Sequence, residues 1–291
     1  MKRENRTLER IFLCCAMLSI ASVILMTVFI FLRGLPLFRV TSLWEFLFSS
    51  NWSPTDENNP SYGILSFIVG SLYVTGLALL ISVPVGLSAG IFLSELANQK
   101  MSKFLRSAVE LLAGIPSVIY GLFGIAFIVP MIRNLFGGNG YSVLSAALIL
   151  SIMTLPTIVN MTEVSLRNVP KELREGSWAL GATKWQTIVG VLFPAARSGI
   201  ITGVVLGMGR AMGETMAVLL VGGNAPIMPD LPTSMVRTLT MNIITDMSYA
   251  EGDHLTSLFT TAMVLFIFIL CLNIGIQLVI KASFKEQKGR V

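Results

Sequence analysis

Apolar residues run along this chain in long unbroken blocks, separated by short polar stretches. Crossing a bilayer takes about 20 mostly apolar residues. Blocks of that kind fall near 11–32, 64–93, 108–132, 142–163, 198–221 and 256–280. The pattern predicts an all-α, polytopic membrane protein of six spans. With no repeat of solenoid period and no low-complexity tract, one helical domain is the economical organisation. The first block is too long for a cleavable signal and lacks a small-x-small site after it, so it is expected to stay as the first span. Pro84, Pro116 and Pro156 interrupt their blocks, either as hinges or as static kinks.

Composition agrees with the block pattern: 54% of the residues are hydrophobic, 13% are charged, and the mean hydropathy is +0.76. A net charge of +5 raises the question of nucleic acid, which the placement of the charges answers. With a cytoplasmic N-terminus, the inside segments hold most of the basic residues, among them Lys2, Arg3, Lys100, Lys103, Arg106, Arg167, Lys171, Arg174, Lys184, Lys281, Lys285 and Arg290. Only Arg33, Arg39, Arg133 and Arg237 fall outside. This asymmetry predicts both termini in the cytoplasm and leaves no basic cluster for a nucleic acid. Cys14, Cys15 and Cys271 lie within blocks, where they act as small apolar residues. The single histidine, His254, reads as a solvated loop residue beside Asp253, so neither a metal site nor a cofactor is expected.

The connections are patterned. Arg33–Tyr62 is rich in aromatics and turn formers, as expected of an ordered interfacial loop on the outside. Gly222–Thr256 reads as a second external loop, with Asp230, Asp246, Glu251 and Asp253 set against Arg237. The cytoplasmic stretch 167–194 is predicted to hold two short helices. Asn168 caps the first, with Pro170 near its start and Gly181 as its stop. Thr183 and Gln186 form a capping box for the second, which runs through Trp185, Ile188 and Leu192. Leu173, Gly176, Ser177 and Leu180 share a face of the first helix. They make a small-residue knob, flanked by Lys171, Arg174 and Glu175, that fits a groove on a partner. Glu163, four residues before Arg167, reads as an ordinary surface pair.

Two charges fall in the fifth block. Arg210 lies about thirteen residues in, which predicts a position near mid-bilayer. An arginine at a helix centre costs about 2.5–3.5 kcal/mol on insertion scales, so such residues face a bundle interior and serve function. At 100° per residue, Gly199, Gly203, Gly207, Arg210 and Glu214 fall on one stripe of a helix. Small residues let a second helix approach closely, so this stripe is expected to line the contact with a partner subunit, beside a translocation pathway. Two roles are open for the charges. They neutralise each other as a packing pair, or Arg210 touches a passing anion while Glu214 keeps that contact weak. The chain holds no G-x-x-x-x-G-K-[ST], H-E-x-x-H or G-x-S-x-G and no paired carboxylates within the blocks, which argues against an ATPase or an intramembrane enzyme.

The stretch Glu175-Gly-Ser-Trp-Ala-Leu-Gly181, with Pro194 beyond it, resembles the EAA loop of ABC importer permeases, with Gly176 and Ser177 where the family has two alanines. Gly114-Ile-Pro-Ser-Val-Ile-Tyr-Gly121 and Gly209-Arg-Ala-Met-Gly-Glu-Thr-Met-Ala-Val218 resemble the phosphate permeases of that family. The Gly-Glu-Thr-Met-Ala form, Gly223-Asn224, and Trp52-Ser-Pro before Tyr62-Gly63 are similar to the PstC type. The resemblance implies a six-helix, importer-type (MetI-like) permease bundle in a prokaryotic cytoplasmic membrane. Residues 1–62 would form the first span and external loop, 63–282 the permease core, and 283–291 a cytoplasmic tail. It also implies a transport subunit without catalysis of its own, working with a PstA-type permease, a PstB-type dimeric ATPase and a PstS-type phosphate-binding protein. Glu175, Gly176, Ser177, Gly181 and Pro194 would couple to the ATPase, and Arg210 and Glu214 would line the phosphate path. Sulfate, molybdate and phosphonate permeases are the nearest alternatives, and an ATP-independent channel or sensor is a more distant one.

Overall fold

A computed structural model describes residues 2–288; Arg290, and residues 289–291 of the expected tail, lie outside them. In chain order the helices are α1 (Lys2–Gly34), α2 (Leu43–Phe48), α3 (Leu65–Ile91), α4 (Gln99–Gly114), α5 (Ser117–Phe123), α6 (Val129–Phe136) and α7 (Val143–Arg167). They are followed by α8 (Lys171–Ala179), α9 (Lys184–Thr187), α10 (Phe193–Gly213), α11 (Met216–Gly222), α12 (Leu239–Asp246) and α13 (Gly252–Lys288). Single π-type turns carry α3 on through Leu96 and join α5 to α6 and α9 to α10. A two-stranded antiparallel hairpin, β1 (Trp52–Ser53) and β2 (Ser61–Tyr62), is the sheet among the described residues.

Among the described residues, six helical runs are long and apolar enough to cross a membrane: Glu9–Arg39, Leu65–Leu96, Ser117–Phe136, Val143–Arg167, Lys184–Gly213 and Gly252–Gly275. Two differ from the predicted blocks. The block expected at 108–132 is broken where Gly114-Ile115-Pro116 interrupts the helix, so Pro116 caps α5 rather than kinking a span. Pro84 and Pro156 do lie inside helices, α3 and α7. The block expected at 198–221 instead begins at Lys184 and stops at Gly213.

The chain divides into two compact units. One holds the chain before Leu65 together with Ile243–Ile267, and the other holds Leu65–Asn242 and the chain from Phe268 on. In the second unit α7 is the central helix, with two-thirds of its apolar window buried, and it packs on α3 and α10. Both neighbours meet it through glycine. A Cβ on Gly86 or Gly90 of α3 would lie 2.7 Å from Ile158 or 2.6 Å from Thr162. A Cβ on Gly203 of α10 would lie 2.5 Å from that of Met161, and Gly199 and Gly207 face Ser165 and Ile158. The glycine stripe of α10 is therefore filled by this chain's own α7. That corrects the expectation that Gly203 and Gly207 meet a partner subunit. Close approach of glycine faces is how helices pack when lipid removes the hydrophobic drive between them.

In the first unit, Phe29 and Phe31 of α1 pack edge-on against Phe259 and Phe266 of α13, and the Thr260 hydroxyl donates to the Gly34 carbonyl at 2.8 Å. His254 is not a solvated loop residue. It is 6% exposed in the first turn of α13, with Nε2 3.3 Å from Asp246 and edge contacts to Trp52 and Tyr249. The Trp52 indole and the Tyr249 hydroxyl also donate to Asp246, at 3.1 and 2.7 Å. A carboxylate with three such neighbours is satisfied in the interior, whereas the sequence pattern places it on an acidic loop surface.

Candidate functional site

The fifth span ends in a break. α10 stops at Gly213, and Glu214 takes an extended conformation (φ −69°, ψ 134°) before α11 starts at Met216. Arg210 and Glu214 thus do not share a helical stripe. Arg210 occupies the last turn of α10, where a cation complements the negative helix end. Glu214 sits before the first turn of α11, and its carboxylate accepts from the Ala217 N–H at 3.1 Å, complementing the positive end. Each charge serves its own helix terminus, and no ion pair joins them among the described residues. Arg210 is exposed on this subunit, while Ala211 and Met212 beside it are buried.

The chain after α11 closes over the break. Gly223 adopts φ 87° and Asn224 φ 51°, a left-handed pair that turns the backbone. Gly223 then bridges to Val236. Thr240 donates to the Glu214 carbonyl at 3.0 Å, and the Leu239 N–H donates to the Ser71 hydroxyl at 2.9 Å. Ser71, Thr75, Thr238 and Glu214 bound a small cavity of about 10 Å³, which is about the room one water requires. Arg237, expected in an external loop, is instead only 9% exposed. It donates to Asn224 Oδ1 at 2.9 Å and Asn242 Oδ1 at 3.0 Å, with its guanidinium 5.9 Å from the Phe67 ring centroid. Nothing in local sequence distinguishes this arginine from a solvated one, because burial depends on Phe67 and on the fold that brings Asn224 and Asn242 to it.

At the far end of the same span lies the patterned connection. Along the helical run from Lys184 to Arg210 the two regions are about 40 Å apart. α8 carries Glu175, Gly176 and Ser177, and it buries none of its residues. Gly176 is exposed with open space around it, and Ser177 exchanges a hydrogen bond with Thr187 at 2.9 Å. Gly181 ends the turn at φ 82°, a conformation suited to glycine. The capping box of Thr183 and Gln186 is complete. Two details differ from expectation. Asn168 closes α7 rather than opening α8, which starts after Pro170. The second short helix runs without a break into α10, so Pro194 lies in the first turn of α10 within one long rod. Leu173, Trp178, Leu180 and Trp185 are all exposed around this turn, Leu180 at 91%.

Glu163 was legible only as a surface partner of Arg167. It is 2% exposed and pairs with Arg106 of α4 as well as with Arg167, at 3.0 Å. Arg167 donates further to Ser102 Oγ at 3.3 Å. Nearby, Arg174 of α8 pairs at 2.8 Å with Glu95, whose side chain is 6% exposed. The first set fastens α4 to the end of α7, and the Arg174–Glu95 pair fastens α8 to the turn that continues α3. The spacing of Glu163 to Arg167 was readable, but Arg106, 57 residues away, was not.

Residues 82–283 match the family described as binding-protein-dependent transport system inner membrane component, and the chain belongs to that family. It is a multi-pass inner-membrane permease subunit of an ABC importer, a non-catalytic component that works with an ATPase, a second permease and a binding protein. It is 43% identical over 93% of its length to the probable ABC transporter permease protein YqgH of Bacillus subtilis (strain 168), covering 92% of that protein. It is 36% identical to the phosphate transport system permease protein PstC of Mesorhizobium japonicum, over 77% of this chain and 74% of that one. The fold matches a permease chain of the MetNI methionine ABC transporter in an inward-facing structure, with a TM-score of 0.62 at 21% identity, covering 76% of this chain and 95% of that one.

Proposed function

We propose that this chain is the PstC-type permease of an inorganic phosphate importer, with both termini in the cytoplasm. It would form the path with a PstA-type permease, driven by a PstB-type ATPase dimer and supplied by a PstS-type binding protein. The observation that carries the reading is Arg210: an exposed guanidinium at the helix break that ends the fifth candidate span, without an ion-pair partner among the described residues. A guanidinium stays ionised even when desolvated and offers a planar fork of donors matched to the oxygens of a tetrahedral oxyanion. Discontinuous helices in transporters supply such sites because their ends leave polar groups to face a ligand. Relatives named for phosphate transport, at 33–36% identity, support this cargo.

In this reading Arg210 gives the passing anion a transient contact, and Glu214, in the break itself, limits its strength. Glu175, Gly176, Ser177 and the apolar residues around them dock on the ATPase, with Gly181 closing the turn and Pro194 starting the rod behind it. Radiolabelled phosphate uptake into proteoliposomes carrying the four-component transporter tests it. ATP-dependent uptake resistant to sulfate is expected, with Arg210→Gln lowering the rate about tenfold or more, as loss of a charged hydrogen-bond donor should. Parent-rate uptake by Arg210→Gln removes the role assigned to Arg210. Flux without ATP points to a channel, and transport of sulfate or molybdate reassigns the cargo.

A further inference from the structure

A cavity of about 740 Å³ opens where the start of α4, the end of α7 and the middle of α8 meet. This volume lies within the range of small-ligand pockets. Lys103, Arg106, Arg167 and Arg174 line it together with three serines and a glutamine, and no carboxylate is among the lining residues. The acids lie behind the wall. Glu163 and Glu95, with side chains 3% and 6% exposed, hold Arg106, Arg167 and Arg174 in place. Four cations against two carboxylates leave an excess of two positive charges facing the cavity, and Lys103 has no ion-pair partner among the described residues. The Arg174 Nε is buried and makes no hydrogen bond. Burying that N–H without an acceptor is costly, so the Glu95 pair alone does not satisfy this guanidinium.

We propose that this cavity binds a phosphate group, which ties α8 to the bundle through Arg174 on one side and Lys103, Arg106 and Arg167 on the other. Forked guanidiniums held from behind, an ammonium and hydroxyls are the donors a tetrahedral, multiply charged oxyanion selects. No aromatic side chain lines the cavity to stack a base, and its apolar wall is limited to Leu93 and Ala97, so a nucleotide would be held by its phosphates alone. Two sources share this chemistry: free inorganic phosphate and the headgroup of an anionic lipid. Because α8 buries none of its own residues, occupancy of the cavity would govern how firmly α8 is presented. That the cavity faces the cytoplasm and that α8 meets the ATPase rest on the function proposed above, whereas the phosphate site does not.

Equilibrium dialysis of radiolabelled inorganic phosphate tests the site, using the assembled permease–ATPase complex in neutral detergent without the binding protein. One saturable site per copy of this chain is expected. Lys103→Gln and Arg174→Gln should each weaken it about tenfold, the usual effect of removing a charged donor, while Arg210→Gln should leave it unchanged. The exposed Lys103 carries the test even if loss of the Glu95 pair unsettles the Arg174 variant. If phosphatidylglycerol nanodiscs abolish the phosphate binding seen in phosphatidylcholine nanodiscs, the natural occupant is a lipid headgroup, and the site stands. Binding that survives Lys103→Gln but is lost in Arg210→Gln belongs to the transport path and overturns the proposal. Absence of phosphate binding, with no phosphatidylglycerol enrichment by the parent over Lys103→Gln, overturns it too. Binding only after the ATPase is stripped away would mean that an acidic segment of the ATPase fills the cavity, and the proposal would then fall as well.

Discussion

Glu163 shows how burial changes what a charge does. A solvated i, i+4 pair is worth a few tenths of a kcal/mol, but this carboxylate is 3% exposed and shared by two guanidiniums that remain 42% and 47% exposed. Glu163→Gln would keep the shape and leave Arg106 and Arg167 facing each other without their common anion. Because both arginines reach solvent, the expected loss is about 1–3 kcal/mol rather than the larger cost of a fully buried break. Thermal unfolding in detergent should show the midpoint fall, and adding Arg106→Gln should cost less than the sum of the two single changes, since the variants share one interaction. Arg210 and His254 follow the same logic in opposite directions. Their residue types were readable at once, but whether each is exposed or buried depends on what the chain brings beside it: Asp246 and Trp52 for His254, and a helix end for Arg210.

Among the elements, the α10–α11 break and α8 matter most. A pattern of apolar residues continues straight through 198–221 and so reads as one span, but Glu214 leaves the helix and its side chain caps the next one. Periodicity cannot register this, because a capping bond changes the backbone without changing the hydropathy. The glycine faces of α3 and α10 were legible as close-approach surfaces, though not which helix would fill them. α8 was more readable: its glycine stop and the capping box after it are local motifs, and both are present. Its exposed apolar rim predicts a partner. Full burial of a leucine is worth about 1.5–3 kcal/mol. Leu180→Asp should therefore weaken association with the ATPase by about ten- to a hundredfold while leaving the detergent-solubilised permease as stable as the parent. Retention of the ATPase through size-exclusion chromatography at decreasing concentration measures the first, and unfolding midpoints measure the second.

At the scale of the whole molecule, an even number of spans puts both ends on one side. We propose that this side is the cytoplasm, because Lys and Arg are in excess in the connections that follow the second and fourth spans. Reporter fusions at the N-terminus and after Lys288 should both be active only as cytoplasmic fusions, whereas a fusion within the hairpin at Asn58 should report the opposite side. Opposed termini would remove one span from the reading.

The number of candidate spans, the helical class, the capped turn after α8 and the charge asymmetry were set by the sequence alone. Each rests on local composition, capping chemistry or a length that the bilayer imposes. Only the tertiary structure decided that α7 fills the glycine stripe, that Asp246, Arg237 and Glu163 are interior groups, and that four cations gather around one cavity. These depend on which distant segments meet, and a charge carries no local mark of the partner that will bury it.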